Sequence, residues 1–508
     1  MQGTVAIDLG STTTVVAYQA PGQTAELLAL HPYALEQPCV VPSLLWLSAS
    51  GDTPLLIGRQ VIDAGLAHGD TPQLLRDFKR QISNDPRATA AAEQLLLQLW
   101  GALPQQLAPS RLVLTAPIES YAGYRQWLLQ VAERFNVAEV ALVDEPTAAA
   151  IGSGLAPGSR VLVVDLGGST IDLSLVELPG GQGRAAPIAQ LLRLGGRNLD
   201  NSRQALRLAK VIGKAGLALG GRDIDRWIAA ALCPGQVLTG ELLAQAERLK
   251  CALSSNEQAR AIWRDPQGRS HDLQLDRQGL ARLLEHQGLI AQLDALLEAV
   301  LAQARAAGLG LEQINALLAV GGSSRLEPIE LWLKARLGSI PRVQTNPVEA
   351  VALGALALTP GVAVRDVLDQ GVSLRCWDRR SGSHRWHPLY VPGQSWPTEQ
   401  PLELLLACSR DGQEAIELVL GQASGQGRAE VIYDNGLPRL RSREAGPGAV
   451  TPWSVQPEPL LLTPPGRQGQ DRLRLRFGID DRCRLQVSID DLEAGGSQPQ
   501  LRDLGTLR

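Results

Sequence analysis

No run of about 18 uninterrupted apolar residues occurs anywhere in the 508-residue sequence, which excludes a helix of the kind that crosses a membrane. Neither sign of charge dominates. Lysine and arginine number 48 against 52 acidic residues, a net charge of −4, and the two signs are interspersed. The electrostatic footprint of a nucleic-acid or membrane-surface binder is therefore missing. The six cysteines form no Cys-x-x-Cys pair and the six histidines no His-x-x-x-His pair, so zinc spacing is absent and reduced, separately packed thiols are expected. Lysine is scarce: Lys79, Lys210, Lys214, Lys250 and Lys334 stand among the 48 basic residues, which singles each of them out. No Gly-Lys-Ser/Thr follows a strand, which disfavours a P-loop. The opening Met-Gln-Gly-Thr-Val-Ala-Ile-Asp reads as a strand at once rather than as an export signal, and a cytoplasmic location is expected.

What is present is ordinary core-forming composition, 44% hydrophobic, over a length that suits roughly three to four domains of about 150 residues. Up to residue 364, short β-branched strands (5–9, 111–115, 161–165, 316–320) alternate with helical stretches at 90–100, 280–307 and 328–337, an α/β pattern. Beyond Leu358-Thr359-Pro360-Gly361 the pattern changes to a period of two. Ile416-Glu417-Leu418-Val419-Leu420, Leu473-Arg474-Leu475-Arg476-Phe477 and Leu485-Gln486-Val487-Ser488-Ile489 each alternate, which predicts antiparallel strands. The expected division is 1–364, a short linker at 365–371, and a β-rich domain at 372–508.

An internal repeat carries the most information. Ala6-Ile7-Asp8-Leu9-Gly10-Ser11-Thr12-Thr13 recurs 157 positions later (Asp165 against Asp8) as Val163-Val164-Asp165-Leu166-Gly167-Gly168-Ser169-Thr170. Each copy is a buried strand, an aspartate, a glycine turn and hydroxyl residues, followed by a second strand at 14–18 or 171–176. Glycine lets backbone N–H groups converge on an anion, and an aspartate at the strand end sits where it can hold a hydrated Mg²⁺. Two copies at domain-scale spacing predict a two-lobed nucleotide clamp. A third glycine turn, Gly321-Gly322-Ser323-Ser324-Arg325, leads from a strand into a helix and suits an anion or a ribose.

These turns resemble those of the actin-like ATPase superfamily, and further segments resemble its seventy-kilodalton heat-shock (DnaK-like) branch. Glu145-Pro146-Thr147-Ala148-Ala149-Ala150 is similar to the chaperones' crossing helix. Leu194-Gly195-Gly196-Arg197-Asn198-Leu199-Asp200-Asn201 is similar to their Leu-Gly-Gly-Glu-Asp-Phe-Asp-Asn turn. Asp77-Phe78-Lys79-Arg80 resembles the segment of their catalytic lysine, and Glu247-Arg248-Leu249-Lys250-Cys251-Ala252-Leu253-Ser254 their adenosine-contacting helix. Asn346-Pro347-Val348-Glu349-Ala350 resembles the closing helix of the ATPase domain. The resemblance implies a two-lobed actin-like (ribonuclease H-like) ATPase domain followed by a mainly antiparallel β-sandwich.

It also implies roles. Asp8 and Asp165 would hold Mg²⁺, mainly through water. Gly10, Ser11, Thr12, Gly167, Gly168, Ser169 and Thr170 would cradle the phosphates of ATP or ADP, with Gly195 and Gly196 beside them. Asp172 would orient the attacking water, Glu145 would tie the metal shell to the crossing helix, and Lys79 would meet the γ-phosphate. Glu247, Lys250, Ser254, Gly321, Gly322, Ser323 and Arg325 would hold the nucleoside end. Plainer readings stand beside these: Lys79 as a solvated helix residue, Glu145-Pro146 as an ordinary helix start, Lys250 as a surface lysine, and Trp377, Trp386, Trp396 and Trp453 as β-domain core rather than groove lining.

The implied activity is slow ATP hydrolysis controlling an extended hydrophobic peptide, with a J-domain protein and a nucleotide-exchange factor as partners, and with neither nucleic acid nor membrane. The alternative is a nucleotide-dependent scaffold with one dedicated partner. Departures from the family pattern bear on both. No helical lid is expected after the β domain, the linker turns polar at Asp369-Gln370, and the 81–111 stretch looks trimmed. Cys251, Val348 and Arg197 stand where the family has arginine, aspartate and glutamate, which predicts weaker adenine discrimination and loose coupling between domains.

Overall fold

In a computed structural model, the strand Thr4–Leu9 buries Val5, Ala6, Ile7 and Leu9 from both faces, as the near-continuous apolar run requires. The structure describes residues 3–47, 55–178, 191–192, 207–357 and 362–507, apart from 83, 108, 119–120, 136, 369, 379–381, 393, 399–400, 424–428, 435–436, 443–449, 481–482 and 494–498. The chain is mixed α/β and groups into two units, Met1–Val364 with Ala429–Arg441, and Arg365–Arg428 with Ser442–Arg508.

The first unit is built on two sheets of the same local plan. In one, Thr4–Leu9 runs parallel to Arg111–Ala116 and hairpins into antiparallel Thr13–Gln19, with Glu139–Asp144 added in parallel beyond Arg111–Ala116. In the other, Arg160–Leu166 runs parallel to Ala316–Val320 and hairpins into Ile171–Glu177, which pairs in turn with Arg207–Leu217. The repeat read in the sequence thus becomes a repeated hairpin: Asp8 pairs with Val15 and Asp165 with Asp172, 157 positions apart in both cases. Each sheet has its own apolar core. Leu95, Leu96 and Leu99 of the helix Pro86–Gly101 pack into the first, and Trp227, Leu249 and Leu293 into the second.

The 280–307 stretch differs from its sequence reading. It forms two helices, Arg277–His286 and Leu289–Ala306, parted at Gly288, whose φ of +77° is a conformation that helix interiors do not hold and glycine enters without steric cost. The crossing helix starts at Glu145 and ends at Ile151. Asp144 accepts the Thr147 amide at 2.7 Å and Pro146 sits in the first turn, where its missing N–H costs nothing.

Among the described residues the paired strands of the second unit run antiparallel, with one isolated parallel bridge between Cys408 and Gln468. Gly371–Asp378 pairs with Ser383–Tyr390 and with Leu420–Ala423, while Asp471–Ile479 pairs with Leu402–Ala407 and Arg484–Asp491. The alternation at 473–477 and 485–489 puts Leu475, Phe477, Val487 and Ile489 into one core. The 416–420 run keeps its alternation, with Ile416, Leu418 and Leu420 buried, but it is not one strand. Gln413–Ile416 pairs with Leu460–Gly466 and Leu420–Ala423 joins a different sheet, so the chain changes sheets between them. Of the four tryptophans, Trp396 is core while Trp377 is exposed. The strand Val362–Val367 takes in the start of the expected linker, and Leu368 beyond it is buried in the second unit's core. Asp369 lies outside the described residues.

Candidate functional site

A cleft of about 700 Å³ opens between the two sheets of the first unit, and most of the candidate residues line it. Asp8 and Asp165, at the ends of their strands, enter it from either side with Gly10, Ser11, Thr12, Gly167, Gly168 and Thr170. The two turns touch: the Ser11 and Ser169 hydroxyls meet, and a Cβ on Gly168 would come within 3.1 Å of Thr12 and 3.2 Å of Ser11. Gly321, at φ +76°, brings the third turn in, with Gly322, Ser323 and Arg325 on the cleft wall. Lys79, Glu145, Glu247, Lys250, Ser254, Cys251 and Val348 complete the candidates in the lining.

Lys79 is not a solvated helix residue. It is buried, its ammonium lies 2.5 Å from Glu145 Oε1, and it stands 5.9 Å from the centre of the Tyr124 ring. Burial works against its charge, yet Glu145, Tyr124 and Asp8 hold its pKa well above the ordinary lysine value. Burial raises Glu145 to about 7 against the pull of Lys79, with Asp8 adding repulsion. Asp165 is pushed well up by burial, then by Glu145, Asp172 and Asp8, and Asp8 is raised by burial although Lys79 and the Thr115 hydroxyl, 2.6 Å away, oppose it. Three carboxyls, of Asp8, Glu145 and Asp165, thus share one lysine, with Asp172 behind Asp165, an excess of buried negative charge that a cation would relieve.

Lys250 is not a surface lysine either. It is buried, donating to the Gly221 carbonyl at 2.8 Å and pairing with Asp225 at 2.8 Å. Asp172 is fully buried beside Asp165 in the ladder and does not line the cleft. Ser169 likewise turns to Ser11 rather than to the cleft. Gly195, Gly196 and Arg197 lie outside the described residues.

A second Leu-Gly-Gly-Arg, Leu219-Gly220-Gly221-Arg222, occupies the wall beside Gly168. The Gly221 and Arg222 amides donate to the Gly167 and Gly168 carbonyls at 2.9 and 2.8 Å, and a Cβ on Gly220 would come within 2.6 Å of the Gly168–Ser169 backbone. Motif reading passes over this copy, although the signal is present: Asp223 follows three residues after Gly220 and accepts its amide at 2.9 Å, opening the strongly amphipathic helix Gly221–Leu232. Arg222 belongs to this same copy, whereas Tyr124 sits in no glycine turn and carries no ligand-like spacing to mark it in the sequence.

The donor set fits a nucleotide with its magnesium. The glycine cradle is one that Cβ atoms would fill, and the carboxyl excess faces it. Among the described residues no three His, Cys, Asp or Glu side chains gather closely enough to hold a metal unaided.

Comparison with known proteins points the same way. The family model described as "Hsp70 protein" matches residues 135–374. The chain is 25% identical to the chaperone protein DnaK of Thermosipho melanesiensis, over 97% of this chain and 79% of that one. It is 24% identical to the chaperone proteins DnaK of Thermotoga petrophila and Thermotoga maritima, with the same coverage. Residues 135–374 are thus similar to the Hsp70 family, and nearly the whole chain is similar to DnaK chaperones.

Proposed function

We propose that the protein is a chaperone-like ATPase whose two-lobed, actin-like first unit binds Mg-ATP in this cleft and hydrolyses it slowly, controlling the capture of extended hydrophobic peptide by its β-rich second unit. The observation that carries the reading is the pair of Asp-Leu-Gly turns facing each other across the cleft, with Lys79 buried against Glu145 between them. Gly10, Ser11, Thr12, Gly167, Gly168 and Thr170 cradle the phosphates, and Glu247, Ser254 and Arg325 take the nucleoside. Asp8 and Asp165 would hold magnesium through its water shell, and the bound ion supplies positive charge against the phosphates. Lys79 presents a fixed charge where negative charge grows in transfer, an interaction worth more in this buried setting than in water. Asp172, expected to orient the attacking water, lies behind Asp165 and reaches that water only through it, raising the Asp165 carboxyl's pKa. J-domain and nucleotide-exchange partners belong to the same reading. Titration calorimetry with ATP, with and without magnesium, followed by a turnover assay, tests it; absence of magnesium-dependent ATP binding refutes it.

A second reading, a nucleotide-dependent scaffold with one dedicated partner, draws on the polar Asp369-Gln370 in the linker stretch. Unfolded peptide added to the turnover assay separates the two. Stimulation supports the chaperone-like reading, and indifference supports the scaffold.

A further inference from the structure

We propose that Arg222 is a positioning residue that makes closure of the cleft and capture of the nucleoside one event, by clasping Glu247 on its own wall to Asp77, beside the first sheet's core on the other side of the cleft and just outside the lining. This rests on the ATP-binding reading above. Arg222 stands in the first turn of the helix Gly221–Leu232, with its side chain about one-fifth exposed. Its Nε donates to Asp77 Oδ1 at 2.8 Å, and one terminal nitrogen donates to Glu247 Oε2 at 2.9 Å. The guanidinium offers separate edges to two carboxylates at once, which an ammonium cannot do with the same geometry. Burial works against the charge, but Asp77, Glu247 and then Asp225 keep it firmly protonated.

The clasp has a neighbour on the same turn. Arg80, three residues after Asp77, forks onto Asp223 with contacts of 3.1 and 2.6 Å and donates to the Ser169 carbonyl at 2.8 Å. The short segment 77–80 therefore sends Lys79 inward to Glu145 and sends Asp77 and Arg80 across the cleft. Asp77 holds φ at +56°, a conformation that an aspartate adopts at a cost, which sets this turn against the opposite wall.

Two consequences follow from the charges. With the cleft open, Arg222 loses Asp77 and keeps only the partners on its own side, Glu247 and Asp225, so the guanidinium that holds Glu247 is less firmly fixed. With the cleft closed, Arg222 bridges both carboxylates, with Arg226 3.9 Å from Asp77 as well, so a ligand that favours closure also meets a Glu247 held by a fixed guanidinium. The place between the two carboxylates suits a cation that can reach both. A glutamate here would face Asp77 and Glu247 and repel both. The clasp is a feature of this chain's own residues.

The test is release of a fluorescent ATP analogue by stopped flow, at low and high salt, with binding of ATP compared against inorganic triphosphate, in the full chain. Release from the unaltered protein should quicken with salt, since the ion pairs are partly exposed. Asp77→Asn should speed release about tenfold and remove most of that salt dependence. Arg222→Ala should do the same and also lower the preference for ATP over triphosphate, because Glu247 is freed; Arg222→Lys should restore that preference only in part. Release from Asp77→Asn at the unaltered rate, or an Arg222→Ala variant that weakens ATP and triphosphate equally, overturns the clasp. If Arg222→Ala fails to fold, Asp77→Asn carries the test. An unaltered protein that binds triphosphate and ATP alike, or neither, refutes the nucleotide reading itself and is told apart by that control.

Discussion

The Lys79 ammonium and the Glu145 carboxylate form a 2.5 Å ion pair in which both side chains are at least nine-tenths buried. A pair so withdrawn from water is costly to assemble and costlier to break, because removing one partner strands the other. It also leaves Lys79 as a charge fixed in place on one side of the cleft before any ligand arrives.

Lys79→Ala should leave ATP binding nearly intact while cutting turnover by roughly 10²–10⁴, since the lost charge acts mainly as transfer proceeds. The same variant should lose about 3–5 kcal/mol of stability through the stranded Glu145. Adding Glu145→Gln should recover stability and not turnover. Single-turnover hydrolysis with denaturant titration reads both, and unchanged hydrolysis in Lys79→Ala removes the catalytic assignment.

Burial raises the Asp225 carboxyl from 3.8 to about 6, in spite of Lys250 and Arg222 beside it. A raised carboxyl binds its proton more tightly in the folded protein than in the unfolded chain. Its contribution to stability is therefore complete below about pH 4 and is lost as the pH rises through about 6. Asp225→Asn should flatten that decline relative to the unaltered protein. Thermal unfolding followed across this window checks it, and an identical slope in the two proteins would mean that Asp225 is ionised throughout.

Cys251 lies in the cleft lining, where it cannot lay a cation on an aromatic base. Cys251→Arg should tighten ATP by an amount corresponding to about 0.5–2 kcal/mol and leave inorganic triphosphate nearly unaffected. Calorimetry that shows no selective gain would mean that Arg325 already covers the base.

The helices Glu145–Ile151 and Ala350–Leu356 cross at glycines. A Cβ on Gly354 would run into the Ala148 carbonyl, and one on Gly152 into the Gly354 backbone. Alanine ordinarily favours a helix over glycine by up to about 1 kcal/mol, but here the obstacle is backbone, which cannot rotate aside. Gly354→Ala should therefore destabilise the first unit by about 1–3 kcal/mol in denaturant titration. A stabilised variant would show that the two helices separate freely.

Much of this was legible from local pattern. Strand, aspartate, glycine turn and strand is a chemical phrase that reads the same wherever it stands, so both copies declare themselves, and the helix start at Asp144–Glu145 is written in its aspartate cap and proline. Alternation likewise put Leu475 and Val487 on the core side of their strands, because the pleat has a period of two. Other features depend on contacts between residues far apart in the chain. Leu-Gly-Gly-Arg occurs twice, and the copy at 219–222 meets Gly168 because the strand Arg207–Leu217 pairs beside Ile171–Glu177 and delivers it there. The chain's change of sheet between Ile416 and Leu420 left the alternation intact, since side chains can keep facing one core while the backbone changes partners. Whether Lys79 was solvated or buried, and whether Lys250 met solvent or Asp225, turned on groups 66 and 25 positions away. A short motif encodes the conformation of its own backbone, whereas the burial and charge of a long side chain are settled by whatever the rest of the chain folds against it.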